Sequence, residues 1–383
     1  MIPYGKQTID SSDKKAVMDV LEENTYLTTG PRVPEFEKRV CEYIGCSYGV
    51  AVNSGTAALH CATFAAGIGK GDEVIVSAIS FVASANCVLY QGGTPVFCDV
   101  EHETMNIDVS KIENLITQKT KALIMVDMCG QPCDFDKIRI LCDKHKLILI
   151  QDAAHSLGGK YKGQKVGSYA DITCLSFHPV KNITTCEGGM MVTNNNSFFK
   201  KGQACRSHGI TKTFIEREKN NSHFYDMVDL GFNYRIPDVL CALGISQLEK
   251  IDNFIEKRNR IAEKYNAFFE KHKKFVEPLK CYYDSAYHIY VIKLNLKNLN
   301  LTRDEIFKKL KESGIGVNVH YMPIYLHSYY QNLNYKKGLC PNAEDIYNQI
   351  ITLPVFPLLE DHEIDYVCQQ VLLVCKMKNE SHQ

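Results

Sequence analysis

Ser176-Phe-His-Pro-Val-Lys-Asn-Ile-Thr-Thr-Cys-Glu-Gly-Gly-Met190 is the stretch from which the rest of the chain can be read. Pro179 lacks an N–H and drives His178 extended, and Gly188-Gly189 permits backbone angles that side chains forbid. The segment is therefore a shaped loop between strands, with Lys181 at its centre. The hydroxyls of Ser176, Thr184 and Thr185 are expected around that amine. Such a composition suits a phosphate held beside a lysine that condenses with an aldehyde, which is the chemistry of pyridoxal phosphate. Taken alone, a lysine near hydroxyls is ordinarily a solvated surface lysine, so distant partners have to decide.

Upstream, Leu147-Ile-Leu-Ile-Gln-Asp-Ala-Ala-His-Ser156 is a short apolar strand ending in an acid, with an imidazole three residues beyond. An acid at the carboxyl end of a buried parallel strand faces the crevice where such sheets bind ligands. Asp152 is thus the candidate partner for a pyridinium nitrogen, with a helix N-cap as the competing reading. Val50-Ala-Val-Asn-Ser-Gly-Thr-Ala-Ala-Leu-His60 runs strand, glycine turn, helix start, which aims free amides and the positive end of a helix dipole at one point. That makes Ser54, Gly55 and Thr56 a candidate phosphate cup, although Ser-Gly-Thr by itself also serves for capping. Neither a Walker loop nor a dinucleotide Gly-x-Gly-x-x-Gly is present.

Outward from these motifs the chain alternates as doubly wound α/β domains do. Strands are expected at 74–76, 96–100, 123–126 and 147–150, and helices at 82–89, 112–116 and 138–145. A helix over 11–22 behind serine caps opens the chain. A long helical pattern from 237 to 272 leads out of the first domain, followed by a strand at 288–294, a capped helix from Thr302 stopped by Gly314, and a strand at 316–321. The polar run 212–221 separates the two motif-bearing loops, and the tail 376–383 is expected to be disordered.

The 383 residues are 45% hydrophobic and 23% charged, the profile of an ordinary globular chain and not of a membrane or disordered protein. Forty-four basic and 44 acidic residues cancel, so no net field points to nucleic acid or an anionic membrane. Sixteen cysteines are scattered through apolar segments without zinc spacing, and Met1-Ile-Pro-Tyr-Gly-Lys has no signal-peptide core. No metal site and a reduced, cytoplasmic setting are expected.

Asn53-Ser-Gly-Thr-Ala-Ala58, Ser80-Phe-Val-Ala-Ser-Ala-Asn86, Asp152-Ala-Ala-His155, the Lys181 loop and Gly231-Phe-Asn-Tyr-Arg235 together resemble the DegT family of nucleotide-sugar aminotransferases, over residues 3–374 and in the family's order. The resemblance implies an α/β, fold-type-I pyridoxal-phosphate transferase. Its large domain, residues 1–250, would hold a mainly parallel seven-stranded sheet flanked by helices, and a small C-terminal α/β domain, residues 251–383, would follow through the 237–272 helix. It implies pyridoxal 5′-phosphate bound covalently to Lys181 and converted to pyridoxamine phosphate, with Ser54, Gly55, Thr56, Asp152, His155 and Ser176 around it. Phe81 would stack on the ring, with a core phenylalanine as the alternative, and Asn233 would reach the phosphate of a neighbouring subunit, giving a homodimer with shared sites. Substrate contacts are implied at Tyr4, at Thr25, Tyr26, Leu27 and Thr28, and at Asn318, Val319, His320 and Tyr321.

The implied reaction takes an amino group from L-glutamate, leaving 2-oxoglutarate, to the C4 keto group of a UDP-linked deoxysugar. The His178–Gly189 stretch is most similar to the pseudaminic-acid branch, which implies UDP-2-acetamido-2,6-dideoxy-β-L-arabino-hex-4-ulose as acceptor. Aminotransferases of the UDP-4-amino-4-deoxy-L-arabinose, GDP-perosamine or dTDP-viosamine type remain open, as does a cofactor-binding regulator without turnover. Lys181 argues against the family's dehydratases, which carry histidine there.

Overall fold

The computed structural model describes residues 1–23, 25–210 and 221–377, so most of the expected polar run and the end of the expected disordered tail lie outside the described residues. Five strands come first: β1 (Tyr48–Val52), β2 (Glu73–Ser77), β3 (Thr94–Cys98), β4 (Thr120–Val126) and β5 (Ile148–Asp152). After a small hairpin of β6 (Lys160–Tyr161) and β7 (Gln164–Lys165) come β8 (Ile172–Ser176) and β9 (Gly189–Thr193). Apart from the hairpin these form a seven-stranded sheet in the order β1-β9-β8-β5-β4-β2-β3. Only β9 runs against its neighbours, and every other pair in the sheet is parallel. The run Ala122 to Val126 in β4 is buried throughout, as expected of a parallel strand covered by helices on both faces. Burying one such Ile or Val contributes roughly 1.5–3 kcal/mol.

A second, antiparallel sheet contains β10 (Val276–Pro278), β11 (Tyr290–Leu294) and β12 (Ile350–Leu353). Its apolar core is shared with the helices Ile251–Phe269, Arg303–Glu312 and Asp361–Cys375. The expected capping box of Thr302 and Glu305 is present, and Gly314 takes φ +76° beyond the helix.

Four expectations need correction. The helical stretch 237–272 is two helices, Asp238–Leu248 and Ile251–Phe269, followed by a 3-10 turn at Glu270–His272. At the break the Lys250 amide reaches back three residues to Gln247 O at 3.1 Å. Lys250 Nζ is held by Asp10 at 2.9 Å and Asp13 at 2.7 Å, which ties the break to the N-terminal helix Ser11–Glu23. That helix is capped by Asp10 rather than a serine, because Asp10 Oδ1 accepts from the Ser12 and Asp13 amides. Residues 316–321 make no strand: only Asn318 pairs, with Thr352 at the edge of β12. The helix expected at 112–116 is a short one at Val109–Ile112 followed by a 3-10 turn at Glu113–Leu115.

Two connections bring the second sheet over the carboxyl ends of β4, β5 and β8. Gly130, four residues past β4, accepts from the Ala286 amide at 2.9 Å, and a Cβ on Gly130 would stand 2.8 Å from the Tyr287 nitrogen. The N-terminal arm spans the same gap. Ile2 bonds Gly314 and Gly316, Tyr4 O accepts from the Val355 amide, and Thr8 O accepts from Gln247 Nε2. All sixteen cysteines are free, and no described helix is long and apolar enough to cross a membrane.

Candidate active site

Where the two sheets meet, a cavity of about 420 Å³ is lined by Tyr4, Ser54, Gly55, Thr56, Phe81, Asp152, His155, Ser176, Lys181, His288, His320 and Tyr321, among others. Lys181 sits on the loop between β8 and β9, which closes on itself through Phe177 N to Gly188 O at 2.8 Å and Thr185 N to Phe177 O at 3.0 Å. The threonine hydroxyls are spent on that shape. Thr184 Oγ1 donates to Phe177 O at 3.1 Å and Thr185 Oγ1 to Glu187 O at 2.8 Å, so of the three expected hydroxyls only Ser176 lines the cavity. Burial pushes the Lys181 amine down to about 8, against the opposing pull of the Asp152 carboxylate. Burial rather than neighbouring cations makes the lysine a usable base near neutral pH.

Asp152 ends β5 and is fully buried, which raises its pKa. Both candidate roles coexist in its geometry. Oδ1 accepts from the Ala154 amide at 3.1 Å, a turn contact, while Oδ2 accepts from Ser84 Oγ at 2.6 Å. Ser84 in turn contacts Ser80 Oγ at 2.7 Å, a hydroxyl pair that residue-level reading of the sequence did not single out.

The cup opposite is the start of the helix Gly55–Ala65. Ser54 Oγ caps it by accepting from the Ala57 amide at 3.0 Å, so the first-turn amides of Gly55 and Thr56 have no carbonyl within the helix to bond. A Cβ on Gly55 would stand 2.9 Å from Ser176 Cβ, and one on Gly189 would stand 2.4 Å from Ser54 O. The cup is kept open by these glycines and fits an anionic group approaching the helix end. The residues present therefore fit pyridoxal phosphate: amides and hydroxyls for a phosphate, a buried carboxylate for a ring nitrogen, and a buried amine for an aldehyde.

Three histidines face Lys181 from the other side. His155 Nε2 lies 3.4 Å from Tyr321 Oη, and its ring centroid is 4.5 Å from that of His288. His288 Nε2 lies 3.4 Å from Lys181 Nζ. His320 contacts Thr352 Oγ1 through Nδ1 at 2.9 Å and packs on Tyr4. Burial first, then the Lys181 charge, lowers His155 and His288 well below the usual imidazole range and His320 to about 4. Phe81 is 55% exposed at the cavity mouth, 6.2 Å from the Tyr321 ring, so the core alternative fails.

Several expected residues lie elsewhere in the chain. Asn318 and Val319 do not line the cavity; the Asn318 backbone is engaged with Thr352 and its side chain with His320. Thr25, Tyr26, Leu27 and Thr28 are exposed, with Leu27 O accepting from the Asp238 amide at 3.0 Å and Thr28 bridging to Pro237. Asn233 is exposed and bridges Ser207, on a loop fixed by Tyr234 O accepting from the Asn53 amide at 2.8 Å. These five residues are not part of the cavity of the chain that bears them.

A family model described as the DegT/DnrJ/EryC1/StrS aminotransferase family matches residues 7–372. Over 358 residues, 92% of each chain, the sequence is 42% identical to the UDP-4-amino-4,6-dideoxy-N-acetyl-beta-L-altrosamine transaminase of Campylobacter jejuni. Helicobacter pylori PseC, an aminotransferase involved in the biosynthesis of pseudoaminic acid, superposes with a TM-score of 0.91 at 34% identity, covering 98% of this chain and 99% of that one. Spr1654 from Streptococcus pneumoniae in its PLP-form gives a TM-score of 0.90 at 31% identity, covering 98% of both.

Proposed function

Because the chain belongs to the DegT/DnrJ/EryC1/StrS aminotransferase family and carries the lysine of its pyridoxal-phosphate-dependent sugar aminotransferases, we propose that it moves an amino group from L-glutamate to the C4 keto group of a UDP-linked deoxysugar. The acceptor proposed is UDP-2-acetamido-2,6-dideoxy-β-L-arabino-hex-4-ulose and the product its 4-amino counterpart. One observation carries the reading: a buried amine, Lys181, shares a cavity with a buried carboxylate, Asp152, and an open helix N-terminus at Gly55. The names borne by the Campylobacter and Helicobacter relatives support the choice of sugar.

Bound pyridoxal phosphate would supply the electron sink that stabilises negative charge at the amino donor's α-carbon. Lys181 is the amine to which it would bond covalently, and once displaced its Nζ takes the proton from that α-carbon and returns it at the other end of the transfer. Asp152 would hold a proton on the ring nitrogen, and Ser84 holds Asp152 in place. The amides of Gly55 and Thr56, with the Ser54 and Ser176 hydroxyls, take the phosphate. Phe81 would flank the ring and His155 orient it, and Tyr4, His320 and Tyr321, which also line the cavity, would meet the sugar nucleotide. Residues 1–250 and 251–383 act as two domains that meet over this cavity.

Asn233 and the segment from Thr25 to Thr28 serve a second copy of the chain. The apolar side chains of Leu27, Met227, Val228 and Leu230 are also exposed, and a homodimer would cover such side chains. The enzyme would work in the cytoplasm, where nucleotide sugars are made.

Borohydride reduction of the cofactor-loaded protein followed by mass spectrometry should find the reduced adduct on Lys181; an adduct elsewhere overturns the role of that lysine. Product analysis with UDP-, GDP- and dTDP-linked 4-ketosugars should favour the UDP-linked N-acetyl sugar, and faster turnover of a GDP or dTDP sugar overturns the acceptor.

A further inference from the structure

His288 lies 107 residues from Lys181 in sequence, just ahead of β11, yet its Nε2 is 3.4 Å from Lys181 Nζ. Its backbone is fixed from two sides. Arg258, 1% exposed on the helix Ile251–Phe269, donates through one nitrogen to Tyr287 O, His288 O and Val355 O at 3.0–3.1 Å. No carboxylate pairs with Arg258 among the described residues, and burial lowers its pKa to about 10, so the guanidinium is retained at a cost for these carbonyls. From the other side Gly130 approaches until a Cβ on it would stand 3.1 Å from the His288 nitrogen, and Tyr287 takes φ +39° to make the turn. The imidazole is 5% exposed and sits against the His155 ring.

Around it stand Lys181, His155, Arg258 and His320, all of which disfavour an imidazolium, while the Asp152 carboxylate acts on Lys181. A neutral imidazole carries one proton. Nδ1 is buried with no hydrogen-bond partner among the described residues, so Nε2 makes the ring's one polar contact, and an accepting Nε2 puts the proton on that unpaired Nδ1, a cost that a bond from a charged ammonium offsets.

We propose that His288 is a positioning residue for Lys181, its Nε2 accepting a hydrogen bond from the lysine amine and fixing where that amine stands whenever it is not covalently engaged. The proposal rests on the reading of Lys181 as the working amine. It gives the second sheet a direct hold on the reactive group of the first. Accepting from an ammonium favours the charged form, so His288 works against burial and keeps the Lys181 pKa from falling further.

The test uses cofactor-free protein, so that it does not depend on turnover. Trace acetylation with acetic anhydride across a pH series, read by mass spectrometry on the Lys181 peptide, gives the midpoint of that amine. His288→Phe, which keeps a ring but no acceptor, should lower the midpoint by about one pH unit and raise labelling below both midpoints about tenfold. His288→Gln, which can present an amide oxygen near the Nε2 position, should stay close to wild type. An unchanged midpoint in His288→Phe overturns the proposal. If that variant fails to fold, nitrogen NMR of histidine-labelled wild-type protein decides: an Nδ1–H tautomer at His288 supports the contact, and an Nε2–H tautomer excludes it. Failure of borohydride trapping on wild-type Lys181 would overturn the functional reading while leaving this titration interpretable.

Discussion

Gly189→Ala offers a sharp test of the phosphate cup, because a single methyl group is set against backbone rather than a flexible side chain. Gly189 opens β9 and pairs with Val52 of β1, immediately before the cup. A Cβ there would stand 2.4 Å from Ser54 O, 2.6 Å from Ser54 C and 2.7 Å from Gly55 N. Carbon contacts are comfortable at about 3.5–4 Å, so backbone must move by about 1 Å. Ser54 O also accepts the first helical bond, from the Ala58 amide at 3.1 Å, so the shift reaches the helix start and the amides of Gly55 and Thr56. Overpacking of this kind costs about 1–3 kcal/mol. Urea unfolding of cofactor-free protein should show that loss, and absorbance titration should show pyridoxal phosphate binding weakened about tenfold or more, equivalent to about 1.4 kcal/mol. Gly69→Ala is the control, since a Cβ at Gly69 meets no heavy atom within 4 Å. If Gly189→Ala matches this control in both stability and cofactor affinity, the cup is softer than its geometry implies and the argument fails.

Asp152→Asn should fold normally, because the new amide oxygen can keep the Ala154 contact and Ser84 Oγ can turn to Phe81 O at 3.2 Å. Its rate of amino-group uptake from glutamate, read by stopped flow, should fall by about 10²-fold or more, on the order of 3 kcal/mol; near-normal rates would reduce Asp152 to a turn cap. Asp127 is fully buried beneath the site, accepting from Gln151 Nε2 and Ser156 Oγ, and burial raises its pKa from 3.8 to about 6. A raised folded pKa means that its contribution is fully present below about pH 4 and is lost as pH rises through 6. The stability of wild type relative to Asp127→Asn should therefore decline by up to about 3 kcal/mol between pH 4 and pH 7, and parallel urea midpoints would refute this. Lys181→Ala and Asn233→Asp, each weak alone, should regain activity when unfolded and refolded together, because some mixed dimers carry both defects in one site and none in the other. Mixed dimers without recovered activity would exclude shared sites.

The parts of the site that were legible in the sequence are those written in contiguous residues. The alternation of strands and helices, the glycines of the Lys181 loop and the acid closing β5 follow from local rules, and each appears in the fold. The loop's threonines were legible in identity but not in use, since a hydroxyl can serve a ligand or its own turn and only the folded loop decides. Periodicity ran unbroken through Lys250 because the chain turns there under the hold of Asp10 and Asp13, some 240 residues away. The strand expected at 316–321 has the right alternation but pairs only at Asn318. His288 had no signal of its own: a histidine ahead of an apolar strand is an ordinary half-buried residue until the second sheet brings it to Lys181. Ser84 was present in the quoted motif, yet its bond to Asp152 spans 68 residues.

The charge pattern of the cavity bears on the proposed homodimer. Lys181 is the one lysine or arginine lining it among the described residues, and Asp152 faces it with the opposite charge. The three histidines are held neutral by burial, and Glu187 adds a carboxylate at the lining. A phosphate arriving at the cup therefore meets no side-chain cation of its own chain apart from the lysine that the chemistry occupies. The helix Gly55–Ala65 offers about half a unit of positive charge at its start, which leaves most of a phosphate dianion unmatched. In the homodimer proposed above, a second copy would add donors to those amides and hydroxyls, and Asn233 is exposed and available for that, with Tyr234 O bonded to the Asn53 amide at the edge of the chain's own cup. In a two-fold dimer that contact would couple each cup to the loop serving the other site, so a change that loosens the Asn53–Tyr234 bond would weaken phosphate binding in the partner more than in the chain that carries it.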